Sequence, residues 1–326
     1  MAEAIQVNVL PQKDPHVSVL MLSFNYAQYL NEAIDSVLRQ TYPNFELIVV
    51  DDGSQDSSLS NLRGYQSRDP SRIKVFTHPN NGHRGLVASL NLALSKARGS
   101  VITFLEADDL WHRENLGEKI AAFQKYPEVG VVYSDYKPFG DFGGRIYWNL
   151  YAWINNRIWV PKRRPFRCFE AFLYRNPVAS FTHFAVRRKL LNDIPPLESM
   201  HRNNDWWVLG HLSAKAFFYF IPEKLTFWRI HRGSAYFSKV NAKLLWKLHR
   251  FLVRMYRSLY SQGGDLPGNF QTMPEELGML HHAFRMHDHI EKERTWFSLK
   301  QVFRYPLFCL RLIGHIGLKN LLLRAG

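Results

Sequence analysis

Two carboxylate-rich turns carry the main chemical signal in this chain of 326 residues. The first occupies positions 51–54 and reads Asp-Asp-Gly-Ser; the second occupies positions 106–109 and reads Glu-Ala-Asp-Asp. Each follows a short apolar run that is typical of a buried strand, so each places acids where a strand leaves a sheet. Open α/β sheets bind ligands in the crevice beyond the carboxyl ends of their strands. Because crowded carboxylates repel one another, we expect a metal-bound diphosphate or the imide N–H of a pyrimidine base between them.

The elements that position these turns alternate between strands and helices. Apolar runs predict strands at residues 17–23, 45–50, 73–77, 101–105, 129–134, 180–186 and 225–230. A 3.6-residue apolar period predicts helices at residues 29–39, 83–96 and 206–216. This rhythm is typical of βαβ units and predicts an α/β fold, with a mainly parallel central sheet flanked by helices.

Several short motifs, taken in order, resemble the opening of family 2 glycosyltransferases. The matching segments are residues 17–25, 36–41, 51–54, 80–82, 91–94, 97–99 and 106–109. Members of this family are inverting, nucleotide-sugar-dependent enzymes of the GT-A fold, which is Rossmann-like. The resemblance covers about residues 16–136 closely and 176–236 loosely.

The resemblance also implies a division of the chain. A GT-A catalytic domain is expected at residues 1–236, with a nucleotide-binding half at 16–136 and an acceptor-binding half at 137–236. Residues 237–326 are then a helical, basic C-terminal region.

The first turn is the candidate site for the nucleotide base. The Asp52 carboxylate can accept the imide N–H of uracil, a donor that cytosine does not offer. By resemblance, the second acid of this turn has that role, and its alternative is a residue that only caps the turn. Ser23 and Asn25, at the end of the first strand, are expected to line the same pocket. We expect Asp51 to shape the turn and Gly53 to supply its backbone freedom.

Arg84 is a further candidate nucleotide contact. It lies at the start of the helix predicted at residues 83–96, where the helix dipole favours a phosphate. The alternative is an exposed arginine with no ligand.

The second turn corresponds, by resemblance, to the metal-binding Asp-x-Asp region. Asp108 and Asp109 are the expected ligands of Mn²⁺ or Mg²⁺, with Asp108 also close to the nucleotide. Such hard cations prefer oxygen ligands and act as Lewis acids on a departing diphosphate. Glu106 departs from the commoner Asp-Ala-Asp-Asp pattern, which leaves its own role open.

A histidine after the last predicted strand is the third candidate metal ligand. In relatives, a histidine placed like His231 can complete the metal shell or contact the diphosphate; the alternative is an ordinary surface histidine. Arg229 and Arg232 flank it and are candidates to neutralise phosphate.

Asp205 is the candidate catalytic base. Inverting transfer needs one base that removes the proton of the acceptor hydroxyl. In the family that base is an acid at the start of a helix in this part of the chain, which Asp205 matches best. Its alternative role is a helix N-cap. Asp193 and Glu198 are the other candidates.

The composition indicates which cellular compartment and which classes of partner to expect. Cys168 and Cys309 do not suggest a disulfide framework, which fits a reducing cytoplasm. The polar start of the chain is not typical of a secretory signal. The formal charge of +14 is compatible with a solvated basic surface, with anionic lipid or with an anionic acceptor. Nucleic acid is not an expected partner, because no zinc-finger, helix-turn-helix or RNA-binding pattern is present.

Two basic segments suggest contacts with an acceptor or a membrane. Residues 141–175 mix aromatic and basic side chains, which suits an acceptor site or burial against the sheet. Residues 297–326 contain five basic residues and no acid, a pattern that disfavours a spanning helix. An amphipathic helix on the inner face of the membrane and a helix packed on the catalytic domain both remain open.

The sequence therefore predicts a metal-dependent, inverting glycosyltransferase. Its expected donor is a nucleotide-sugar, most readily a UDP-sugar, and its expected acceptor a glycan or lipid-linked glycan. One alternative is a non-catalytic binding protein on a degenerate GT-A fold. A nucleotidyltransferase or dinucleotide dehydrogenase is disfavoured, because no glycine-rich phosphate loop follows the first strand.

Overall fold

The computed structural model describes residues 16–141, 161–169, 176–194 and 204–231, together with positions 149, 152, 172 and 233. The strands in these ranges are β1 (Val17–Ser23), β2 (Phe45–Asp51), β3 (Ile73–Thr77), β4 (Val101–Phe104), β5 (Leu110–Trp111), β6 (Val129–Gly140), β7 (Pro165–Phe166), β8 (Phe184–Arg187) and β9 (Phe217–Ile230). They form one sheet in the order β3-β2-β1-β4-β8-β6-β9-β5, with β7 paired to β9.

The first four strands of that order form a parallel half-sheet. β1 pairs in parallel with β2 and β4, and β2 with β3. Antiparallel pairing enters at β8, which lies between β4 and β6. The carboxyl ends of β2, β1 and β4 therefore meet at one edge of the sheet, and the two acidic turns flank the end of β1.

Helices cover both faces of the sheet. They are α1 (Ala27–Leu38), α2 (Ser58–Arg68), α3 (Leu86–Lys96), α4 (Asn115–Lys125) and α5 (Asn204–Lys215). One apolar core contains residues of α1, α2 and α4, and a second core on the other face contains residues of α3 and α5. Each fully buried aliphatic side chain contributes about 1.5–3 kcal/mol to folding. The predicted α/β class, with a mostly parallel sheet flanked by helices, is confirmed.

Several element boundaries differ from the sequence prediction. The helix predicted from residue 83 begins at Leu86, because Gly85 has a φ of +86° and interrupts the helical backbone. The predicted strand at 180–186 begins with a 3-10 turn at Phe181–His183. β6 and β9 are longer than predicted, since each extends across a β-bulge in their mutual pairing.

Two predicted segments fall outside the described residues. They are the basic C-terminal region at 237–326 and most of the aromatic, basic segment at 141–175. None of the helices in the described part of the chain is long and apolar enough to cross a membrane.

A buried carboxylate fastens the start of β4 to the sheet. Glu46 on β2 is only 2% exposed and accepts a hydrogen bond of 2.7 Å from the Ser18 hydroxyl. The same carboxylate accepts hydrogen bonds from the backbone N–H of Arg98 at 2.8 Å and from its guanidinium at 2.9 and 3.0 Å. Burial alone would raise the pKa of Glu46, but the hydrogen bonds from Ser18 and Arg98 outweigh it and lower the pKa below 4.5. The turn that aims β4 therefore depends on this charge.

We predict that Glu46→Gln lowers the free energy of unfolding by about 2 kcal/mol at pH 7, because it weakens charge-assisted hydrogen bonds in a buried site. Since the folded pKa is lowered, the stabilisation is present above the unfolded pKa and is lost as pH falls through the folded pKa. Denaturant unfolding at pH 7 and in acid measures both effects. Glu114→Gln, at a side chain 48% exposed, is the matched control and should change little. Equal stability of Glu46→Gln and wild type at pH 7 would contradict the assignment.

Candidate active site

The first acidic turn is fixed by its own side chains. The Asp51 carboxylate accepts hydrogen bonds from the backbone N–H and the hydroxyl of Ser54, at 2.9 and 2.6 Å. The Ser54 hydroxyl accepts in turn from the backbone N–H of Asn25 at 3.0 Å, which joins the ends of β1 and β2. Asp51 therefore shapes the turn, as predicted.

Asp52 organises a loop far away in the sequence. Its carboxylate is 6% exposed and accepts the backbone N–H groups of Arg84 and Gly85 at 2.7 and 2.9 Å. The Nδ1 atom of His83 lies 2.9 Å from the same carboxylate. Because these partners lie more than thirty residues away, the carboxylate fixes a distant loop, and its contact with a nucleotide base stays a prediction.

The remaining predicted nucleotide contacts gather around this turn. The buried Ser23 hydroxyl has no hydrogen-bond partner among the described residues, while the Ser23 carbonyl accepts the N–H of Asp52 at 2.9 Å. Asn25 is exposed and its side-chain carbonyl accepts from Gln55 at 2.8 Å. Arg84 has an exposed side chain, but it precedes α3 rather than starting it, so the predicted position at a helix start is wrong.

An exposed aromatic ring lies at the same edge. Phe24 is 39% exposed, and its ring centroid lies 4.3 Å from that of His83. The pair, tilted by 31°, presents exposed ring surface beside Asp52.

The second acidic turn receives donors from three other segments. Asp109 is fully buried, and its carboxylate accepts the Thr182 hydroxyl at 2.6 Å and the backbone N–H of Arg229 at 2.9 Å. Glu106 accepts the Ser180 hydroxyl at 2.7 Å. The Nε2 atom of His231 lies 3.0 Å from an Asp108 oxygen.

These donors do not remove the electrostatic strain of the turn. Burial and the charge of Asp108 raise the pKa of Glu106 to about 8. Burial, Asp108 and Glu106 raise the pKa of Asp109 well above its usual range. Burial and the same acids also raise the pKa of the Tyr26 hydroxyl. The ionised forms of these acids are therefore costly without a nearby positive charge, which a bound cation would supply.

Two of the three predicted metal ligands meet. Asp108 and His231 are 13% and 14% exposed, so both face the crevice. Their donor atoms are 3.0 Å apart, a hydrogen-bond distance that is also about the spacing of two adjacent ligands, each at about 2.1 Å, of an octahedral ion. One carboxylate oxygen and one imidazole nitrogen suit Mn²⁺ better than Mg²⁺.

Asp109 does not join that pair. In the part of the chain that the structure describes, no group of three or more His, Cys, Asp or Glu side chains is arranged to hold an ion. Both Asp109 oxygens face protein donors, so the predicted set of Asp108, Asp109 and His231 does not form a three-ligand shell. Water and a diphosphate would have to supply the remaining ligands.

Arg229 is committed to holding the turn in place. Its Nε donates to the Asp108 carbonyl at 2.8 Å, and its guanidinium pairs with Glu32. The guanidinium also lies between the rings of Tyr29 and Phe139, at 4.8 and 4.5 Å from their centroids. These contacts use its Nε and one terminal nitrogen, so the guanidinium supports the turn, and its contact with phosphate stays a prediction. The side chain of Arg232 lies outside the described residues.

Asp205 lies in the first turn of α5, after Asn204, rather than at the N-cap. Its carboxylate accepts the side-chain N–H of Asn176 at 2.8 Å, and burial raises its pKa to about 7. Its charge also contributes to the raised pKa of Glu106, which places it near the acidic turn. Asp193 is exposed, and Glu198 lies outside the described residues.

The sequence prediction missed three donors of the site. Three residues in the segment before β8 each donate a hydrogen bond to an acid of the site. They are Asn176, Ser180 and Thr182. The available signal was a cluster of small polar residues directly before a strand. That signal does not say which acids the cluster will contact.

Comparison with known proteins agrees with this geometry. The model of the family "Glycosyl transferase family 2" matches residues 18–194. The Escherichia coli protein UDP-Glc:alpha-D-GlcNAc-diphosphoundecaprenol beta-1,3-glucosyltransferase WfgD is 36% identical over 121 residues, which are 37% of this chain and 46% of that protein. Alignments with the first three curated relatives span 35%, 47% and 46% of their own lengths.

Two solved structures share the fold. S. aureus TarS 1-349 in complex with UDP-GlcNAc has a TM-score of 0.60 and 20% identity, covering 88% of this chain and 77% of that one. The mannosyltransferase PcManGT of Pyrobaculum calidifontis, in complex with GDP-Man and Mn²⁺, has a TM-score of 0.57 and 18% identity, covering 96% of this chain and 86% of that one.

We predict that Gly53→Ala destabilises the protein by about 2 kcal/mol or more, because Gly53 has a φ of +81°. An added Cβ would also lie 2.8 Å from the Asn81 carbonyl oxygen and 2.8 Å from the His83 nitrogen. Thermal unfolding measures the effect. Gly64→Ala in α2 is the matched control: its Cβ meets nothing closer than 3.9 Å, so it should stabilise slightly. Similar melting temperatures for the two variants would contradict the prediction.

Proposed function

The chain belongs to glycosyltransferase family 2, and we propose that it moves a sugar from a UDP-sugar to a hydroxyl of a glycan or lipid-linked acceptor. The proposed transfer inverts the configuration at C1 and requires Mn²⁺ or Mg²⁺. It would serve the biosynthesis of a polysaccharide or glycoconjugate.

One observation carries this proposal: the Asp52 loop and the Asp108–His231 pair flank the end of β1. Because β1 lies between β2 and β4, the two turns are two strand spacings apart, or about 10 Å. An extended nucleoside diphosphate can bridge that distance, with its base at the first turn and its phosphates at the second. Carboxylates at both ends suit an imide donor and a metal-bound diphosphate.

At the base end, the residues recognise uracil by shape and hydrogen bonding. Of the roughly four acceptor sites of the Asp52 carboxylate, the N–H groups of Arg84 and Gly85 use two and His83 faces a third, so one further donor can be accepted. Phe24, exposed beside it, offers a face for stacking. Ser23, Asn25 and Arg84 complete the proposed nucleotide contacts.

At the phosphate end, Asp108 and His231 would hold the metal. When bound, the cation supplies Lewis-acid stabilisation of the charge that develops on the departing diphosphate. Arg229 keeps Asp108 in place through its backbone carbonyl. Asp109 supports the same turn from inside the protein through Thr182.

Asp205 would act as the base. Its carboxylate removes the proton of the acceptor hydroxyl while that oxygen attacks C1 from the face opposite the diphosphate. The bond from C1 to the diphosphate oxygen breaks as the new glycosidic bond forms, and the electron pair leaves with the diphosphate. A pKa of about 7 suits this role, because a base is most effective when its pKa lies near the working pH.

The donor assignment draws on the names of similar proteins. The Escherichia coli relative is named for UDP-Glc, and TarS was solved with UDP-GlcNAc. The archaeal neighbour was solved with GDP-Man, so GDP is the competing nucleotide. A non-catalytic binding protein on the same fold is the competing function, and turnover of any donor excludes it.

We predict that UDP binds the protein more tightly with Mn²⁺ than without it, and that Asp108→Asn removes most of this difference. The variant loses a charged ligand at a partly exposed position, so its unfolding free energy should change by less than about 1 kcal/mol. Calorimetric titration with UDP, GDP and dTDP, with and without Mn²⁺, measures binding.

Two variants serve as controls for that titration. Glu128→Gln, at an exposed position on the surface, should behave as wild type. Asp109→Asn should instead lower stability, because it places an amide against the Thr182 hydroxyl and the Arg229 N–H. Metal-dependent UDP binding that survives in Asp108→Asn would overturn the metal assignment.

We predict that the rate of transfer rises with pH around a midpoint of about 7, because only the deprotonated Asp205 can accept a proton. Asp205→Asn should lower kcat by about 10²–10⁴-fold and abolish this ascending limb. Asp193→Asn, which replaces an exposed acid in the same part of the chain, is the control, and its pH profile should keep the ascending limb. Near-normal turnover by Asp205→Asn would move the base elsewhere.

A further inference from the structure

The buried Asn176 side chain forms hydrogen bonds through both its nitrogen and its oxygen, which fix the orientation of its amide. Its side-chain nitrogen donates to Asp205 Oδ2 at 2.8 Å. Its side-chain oxygen accepts the backbone N–H groups of Val178 and Ala179 at 3.1 and 3.3 Å. A flipped amide would set its oxygen against the carboxylate and its NH₂ against two N–H donors. Only one orientation is therefore compatible with all three contacts.

That contact limits the freedom of the Asp205 carboxylate. With Oδ2 held by the amide, and with the backbone N–H groups of Trp206 and Asp205 also donating to the carboxylate, its rotation would break buried hydrogen bonds. The direction of the second oxygen is thereby fixed as well.

We propose that Asn176 is a positioning residue for transfer, which holds Asp205 in one rotamer through a neutral donor. This inference rests on the proposed role of Asp205 as the base. Asn176 does not itself touch the reacting atoms in this arrangement; it acts through Asp205.

The neutrality of the amide matters for the chemistry. Among the described residues, no lysine, arginine or histidine forms an ion pair with Asp205, and Glu106 is the acid whose pKa responds to its charge. A cation at position 176 would lower the pKa of the base and weaken it, whereas an acid would raise the pKa further. An amide orients the carboxylate with the smallest change in its basicity.

The backbone after Asn176 extends the same support to the acidic turn. Ala179 has a φ of +74°, a conformation that costs a non-glycine residue energy and persists only where its surroundings impose it. The two backbone N–H groups bound to Asn176 belong to Ala179 itself and to Val178, the residue before it. One and three residues after Ala179, Ser180 and Thr182 bind Glu106 and Asp109. Asn176 thus links the base and the acidic turn through one short segment.

The variant Asn176→Asp tests this role. It keeps the shape of the side chain but replaces the donor with an acid beside Asp205. We expect the ascending limb of kcat against pH to move up by at least one pH unit, so that kcat at pH 7 falls about fivefold or more and recovers towards pH 9. The KM for the donor sugar should stay within twofold, because Asn176 contacts neither acidic turn directly.

Asn192→Asp is the matched control. Asn192 is exposed, and this substitution adds the same charge to the same part of the chain. Its pH profile should superimpose on that of wild type. Thermal unfolding of each variant separates loss of fold from loss of rate.

A second variant keeps the test decisive if Asn176→Asp does not fold. Asn176→Ser is neutral but too short to reach Asp205, and it should also lower kcat and raise the midpoint. A folded Asn176→Ser variant with the kcat and the midpoint of wild type would overturn the positioning role and leave the base assignment intact. Persistence of the limb in Asp205→Asn, together with an unmoved midpoint in Asn176→Asp, would overturn both.

Discussion

The mutual repulsion of three acids in one buried turn dominates this structure. Glu106, Asp108 and Asp109 follow β4 within four residues, and burial makes their charges costly. Among the described residues, these acids are contacted by hydrogen-bond donors from distant elements rather than by a buried cation. Hydroxyls precede β8, a backbone N–H and an arginine come from the end of β9, and a histidine follows β9.

These donors offset only part of the cost of burying the acids, and they leave Asp108 accessible. Asp109 is fully enclosed and its oxygens are bound, so it acts as the internal support of the turn. Asp108 remains at the surface of the crevice with one imidazole beside it. Burial and the neighbouring acids raise the pKa values of Glu106 and Asp109, so their ionised forms are costly without a positive charge beside them. A cation that binds together with the ligand would therefore stabilise the ionised form of these acids.

Much of the frame could be predicted from the sequence because it depends on local periodicity. β1 and β3 match their predicted limits, since a continuous apolar run bounded by polar residues defines both ends. The positions of the two acidic turns follow from those strands. The start of α3 was predicted too early, because the apolar pattern does not reveal the left-handed backbone of Gly85.

The contacts inside the site could not be predicted in the same way. The sequence identified Asp108 and His231 as candidates, but their meeting depends on how the long β9 pairs with β6 across its bulges. It assigned Arg229 to phosphate because an exposed loop was assumed, whereas two aromatic rings and Glu32 enclose its guanidinium. Asn176 carries no periodic signal, since its role comes from a single side-chain contact with another element.

The sequence distance between Asp109 and Arg229 has a consequence for the synthesis of the protein. These residues are 120 positions apart, and their hydrogen bond closes the acidic turn. A ribosome adding about 5–20 residues per second completes β1 to β4 well before it reaches β9. During that interval the parallel half-sheet can pair, while the acids after β4 still face water. The hydrogen bond that closes the acidic turn can therefore form only after β9 has been synthesised.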